Sequence, residues 1–105
     1  MSTSEKKFEE IAEKLAKKKV EVSSMFGMPC YKIKSKAFAG LLDDAMVFKL
    51  SGDEHFRALS LPGSRLFDPA GGRPMKEWVQ VIFKHKDKWE VFAKSAFNYV
   101  KKTAK

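Results

Sequence analysis

The residues best equipped for covalent chemistry are one cysteine, Cys30, and two histidines, His55 and His85. A thiol beside a histidine base would make a nucleophile. No catalytic signature surrounds Cys30, however, and a free cysteine beside a strand is ordinarily a small buried hydrophobe. His55 is expected in the first turn of a short helix and reads as an ordinary surface histidine. A metal centre needs three or four ligands at workable spacing, and one Cys and two His scattered at positions 30, 55 and 85 do not supply them. Asp43 and Asp44 are adjacent carboxylates, but between two apolar runs they read as a solvated turn. The residues therefore point to no catalytic group, no cofactor and no metal, and to a protein that is not an enzyme.

Two features suggest binding instead. The loop Asp68-Pro69-Ala70-Gly71-Gly72-Arg73-Pro74 is glycine-rich, yet it lacks both GxxxxGK[ST] and GxGxxG, and a strand rather than a helix follows it. It reads as a tight connection, in which Arg73 is a constrained guanidinium suited to an anion or a partner carboxylate. The second feature is a lysine face. Near the C-terminus Lys94, Lys101, Lys102 and Lys105 fall on one side of an expected helix, within roughly 100° of arc. Such a face could follow nucleic-acid phosphates or meet a protein partner. A solvated helix face is its ordinary meaning.

These groups must be positioned by a single domain, residues 1–105. Of the chain's residues 44% are hydrophobic and 32% charged, which permits a real core and excludes wholesale disorder. The net charge is +8, and +5 of it lies in residues 84–105. Only 3 of the 21 basic residues are Arg, which argues against base-specific reading of nucleic acid. The lone cysteine excludes an intramolecular disulfide and suits the cytoplasm. The longest nearly apolar run, Ala37 to Leu42, is six residues, so no membrane association is expected. Met1 to Lys7 does not read as a secretory signal.

The elements follow from periodicity. Phe8, Ile11, Ala12, Leu15 and Ala16 mark a buried helix face, with a capping-box spacing at Ser2 and Glu5 and with Lys17 to Lys19 at the negative end of its dipole. Period-two patterns predict strands over 20–24, from Cys30 through Tyr31 and Ile33, over 37–42, and over 46–50. Ser51 and Glu54 predict a cap for a short helix holding Phe56, Ala58 and Leu59, which Pro62-Gly63 ends. Short strands follow at 65–67 and 78–83. Asp87 and Glu90 open a last helix with the stripe Trp89, Phe92, Ala93, Ala96, Phe97 and Val100. The expected class is α+β, an antiparallel sheet with the order α-β-β-β-α-β-β-α and helices packed on it.

Several segments together resemble the TfoX N-terminal domain (TfoX/Sxy-like) family. They are Ser24-Met25-Phe26-Gly27, the hairpin Lys36 to Asp44 with Met46 to Leu50, Gly72-Arg73-Pro74-Met75, and the strand opening at Trp78-Val79. The resemblance covers about residues 23–102, and the wider group includes the YjbR-like proteins. It implies an α+β domain without catalytic residues or cofactor, acting as a regulatory or interaction module. Competence regulators of the family carry a second, C-terminal domain, so only the N-terminal module is expected here. The resulting expectation is a non-enzymatic module that binds a protein partner or nucleic acid through Lys94, Lys101, Lys102, Lys105 and Arg73, with a homodimer also open. The reading from another class is a small enzyme or ligand-binding domain using Cys30, Arg73 and the glycine-rich loop.

Overall fold

The computed structural model describes residues 3–15, 20–25, 27–69, 71–72 and 74–103. The capping residue Ser2, the lysines 17–19, Phe26, Arg73 and Lys105 lie outside these.

Helix α1 (Thr3–Leu15) is followed by the strands β1 (Glu21–Met25), β2 (Met28–Ile33), β3 (Lys36–Leu42) and β4 (Ala45–Lys49). Then come α2 (Gly52–Ser60), β5 (Arg65–Phe67), β6 (Met75–Ile82), one 3₁₀ turn (Phe83–His85) and α3 (Lys86–Thr103). The α+β class and the antiparallel sheet are as expected. Four strands precede α2, one for each of the period-two patterns over 20–24, 30–33, 37–42 and 46–50, where the order α-β-β-β-α-β-β-α counts three. The sheet order is β1-β2-β3-β4-β6-β5, with β6 entering between β4 and β5. All pairings are antiparallel.

Alternation decides the two faces. Tyr31, Ala39, Phe48 and Val79 lie in register on neighbouring strands. With Leu41, Met46 and Val81 they receive all three helices, in a core that includes Phe8, Ile11 and Leu15 from α1 and Ala58 from α2. From α3 this core takes Trp89, Phe92, Ala93, Ala96, Phe97 and Val100, the whole expected stripe. Burying such side chains contributes roughly 1.5–3 kcal/mol each, which dominates the stability of a domain this small. Ser4, buried, fixes the start of α1 to the β3–β4 turn by donating its hydroxyl to the Asp44 carboxylate at 3.0 Å.

The opposite face carries no helix. Its smaller core joins Met28, Val47, Phe67 and Trp78, with Met25, Ala37, Leu42 and Met75 half-buried around them. Phe67 reaches this core by alternation, two residues after Arg65, which pairs with Gln80 and through it with the core residue Val47. Between Leu66 and Phe67 the β5–β6 register shifts, and Phe67 pairs with Met75. Gly40 makes room beneath: a Cβ there would stand 2.9 Å from the Met28 Cε atom. Among the described residues no helix is long and apolar enough to cross a membrane.

Two local expectations are corrected. Ser51 precedes α2 without its side chain capping it, and Glu54 turns instead to Arg57 and to Ser95 on α3. Phe83 leaves the last strand for the 3₁₀ turn, where its ring meets Trp89 edge-on at 5.6 Å between centroids.

Candidate functional site: the outer face of α2 and α3

The lysines of α3 do project outward, since Lys94, Lys101 and Lys102 are all exposed. They are not equivalent. Glu90 accepts an ion pair from Lys94 at 3.2 Å and another from Lys14 on α1. These two cations hold the Glu90 carboxyl below the usual range, and Glu90 in turn raises the Lys14 ammonium. Lys101 lies 5.7 Å from the Phe97 ring centroid, a cation–π distance. Lys102, one turn beyond Asn98, is exposed. The lysine face is thus partly neutralised and partly folded onto its own helix. Arg73 and Lys105 lie outside the described residues, so the five candidate binding residues do not form one described cluster.

The other nominated chemistry is dispersed. Cys30 is completely buried on the helix-free face, paired across to Ser23 and Gly40, and burial pushes its thiol pKa up. A raised thiol pKa means less thiolate, the opposite of what a nucleophile requires. His55 meets the Lys76 carbonyl at 2.7 Å, tying α2 to β6, and His85 meets the Pro62 carbonyl at 2.9 Å, tying the 3₁₀ turn to the chain after α2. Among the described residues no three His, Cys, Asp or Glu gather to hold a metal. The glycine-rich loop is turned inward on itself. Asp68 accepts the amide N–H of Gly71 at 2.8 Å and that of Gly72 at 2.9 and 3.0 Å. The two glycine amides, which could otherwise cradle a phosphate, are already used.

Sequence reasoning passed over the apolar side chains left in water. Phe56 is 73% exposed, Val91 56% and Leu59 37%. Phe56 and Val91, with Leu61 and Phe92, line an apolar groove of about 440 Å³ between α2 and α3, walled by Lys88, Arg57 and Glu54. The bridge from Ser95 to Glu54 at 3.2 Å holds the two helices together there. The signal was present in the spacing. Phe56 stands roughly 200° from the buried Ala58, so one helix cannot bury both. Val91 lies on the polar side of α3, beside Lys88 and Lys94, away from the stripe that builds the core.

Along α3 the outward side runs Lys88, Val91, Lys94, Asn98, Lys102, each within a turn of the next. Phe56 and Val91 thus form an exposed apolar centre, with Lys88 and the Arg57–Glu54 ion pair beside it. Comparison with family models, with curated proteins and with solved structures finds no match to this chain.

Proposed function

We propose that this chain is a non-enzymatic binding module whose α2–α3 face docks an acidic, amphipathic segment of a protein partner. The observation that carries the reading is Phe56, a large aromatic side chain 73% exposed beside a groove. Solvent exposure of Phe56 and Val91 together has no value to the fold, and aromatic anchors are what docking surfaces use. Lys88 and Lys102, on the same side of α3 as Val91, select for carboxylates around an apolar centre. A regulatory or interaction role is also what the TfoX-like motifs imply, and the buried thiol suits the cytoplasm.

Nucleic acid is the second reading, and the lysines speak for it less strongly. Phosphate contacts need uncommitted cations, whereas Lys94 is paired with Glu90 and Lys101 sits on Phe97.

The test is retention from native extract on immobilised protein, with and without nuclease, comparing wild type with Phe56→Glu and Val91→Glu. A specific protein retained by wild type, lost from both variants and indifferent to nuclease is the expected result. Identical retention by all three baits removes the α2–α3 face from the reading. Retention abolished by nuclease transfers the function to nucleic acid.

A further inference from the structure

The helix-free face of the sheet contains a groove of about 920 Å³. Its floor is the sheet, where Met28 and Leu42 present hydrocarbon and Gln80 presents an amide. Its roof is the fold-back after β5, Phe67 to Pro69 with Gly71 and Pro74. That roof is built, not incidental. Phe67 is buried on this face, the Phe67 and Trp78 rings meet with centroids 6.4 Å apart, and Asp68 closes the turn by accepting the Gly71 and Gly72 amides. The volume lies within the range of sites that enclose small organic molecules, roughly 300–1,000 Å³.

Among the described residues one cation lines this groove. Arg65 lines it, is exposed, and pairs in register directly with Gln80 across the β5–β6 ladder. The guanidinium and the amide therefore stand side by side at one end of an apolar slot. Asp68 is the only acidic residue among the lining, and its carboxylate already accepts three hydrogen bonds from the loop amides. A planar guanidinium with a neighbouring amide donor matches a single carboxylate, bidentate on Arg. Cys30 does not line the groove, so nothing in it points to covalent chemistry.

We propose that this groove binds an amphiphilic carboxylate, its head on Arg65 and Gln80 and its hydrocarbon along Met28, Leu42 and Phe67. The site is separate from the α2–α3 face, so the two readings stand or fall independently.

The test is an amide-resolved NMR titration with octanoate, using 1-octanol as the uncharged counterpart. Expected are saturable shifts at Leu42, Phe67, Gly71 and Gln80, with octanoate binding about tenfold more tightly than octanol, the worth of one charge-assisted contact. Arg65→Gln should remove that preference and leave octanol binding unchanged. Leu42→Trp should abolish binding of both, with the amide spectrum of α1 and α3 preserved as proof of folding. The proposal is overturned by the absence of saturable shifts, by equal affinity for octanoate and octanol, or by an Arg65→Gln variant that keeps the preference. It is equally overturned if the same amides shift with protein concentration alone, since a second copy of the chain would then be what covers this face.

Discussion

Tyr31 sits where α1 meets the sheet, stacked on Phe8 with ring centroids 4.3 Å apart and donating its buried hydroxyl to the Phe8 carbonyl. Tyr31→Phe should cost about 1–2 kcal/mol, the value of a buried hydrogen bond whose acceptor is left behind, read as a lower urea midpoint at neutral pH. Burial also raises the Tyr31 pKa. A phenol whose folded pKa exceeds its unfolded value of about 10 stabilises the fold fully below that pH and progressively less above it. The cost of Tyr31→Phe should therefore shrink between about pH 10 and pH 11, as wild type meets a penalty the variant lacks. Glu90 works at the other end of the scale. Its folded pKa is depressed by Lys14 and Lys94, so its contribution is present above the unfolded value of about 4.3 and lost as pH falls through the folded one. Glu90→Gln should flatten the acid limb of a stability–pH curve below about pH 5 and, because Glu90 raises the Lys14 ammonium, soften the decline above about pH 10 as well. Cys30, buried, should react with a disulfide reagent only as fast as the protein unfolds, measured by matching thiol release to unfolding rate.

At the scale of elements, the β2–β3 turn carries a conflict that its sequence announces. Lys34 and Ser35 both have positive φ, 51° and 67°, the pattern of a type I′ turn. That geometry favours Asn-Gly, and non-glycine residues in it cost roughly 1–2 kcal/mol each. Ser35→Gly should raise the midpoint of thermal unfolding by a stability gain of about 1 kcal/mol, seen by circular dichroism. Under the sheet the sign is reversed, because Gly40→Ala would drive a Cβ to 2.9 Å from Met28 Cε and 3.3 Å from the Pro29 carbonyl oxygen. Overpacking of this kind costs about 1–3 kcal/mol, and Met28→Ala in the same chain should restore part of it. The elements themselves were legible because their periods are clean: the α3 stripe, the alternation of Met46, Phe48 and Leu50, and the two-residue turns. Illegible were the features set by tertiary competition. A bulge at Leu66/Phe67 leaves no periodic trace in a three-residue strand, and Glu54 has the spacing of a cap yet bonds across to α3.

For the whole molecule, the charge of +8 was the most visible property and the least informative about a site. It showed where cations were concentrated, while ion pairing and cation–π contacts, which decide how many remain available, depend on neighbours distant in sequence, as Lys14 and Glu90 are. The apolar patch was partly legible, since Val91 falls off the buried stripe, and the groove under the β5–β6 loop was not, because its walls come from four strands. Phe56→Glu should abolish partner binding with little effect on stability, because the side chain is 73% exposed and surface changes generally stay within about 0.5 kcal/mol. Equilibrium denaturation of that variant supplies the check. The strand order also has a temporal meaning. The first four strands pair with their immediate neighbours in sequence, so their contacts close short loops and can zip early. Pairing of β6 with β4 instead waits for α2 and β5 to be laid down between them. The last strand pair to form is then the first to open, and native-state hydrogen exchange should find β5 and its loop the least protected part of the sheet and the β3–β4 hairpin the most. The part of the sheet that opens most readily would then be the part that roofs the groove.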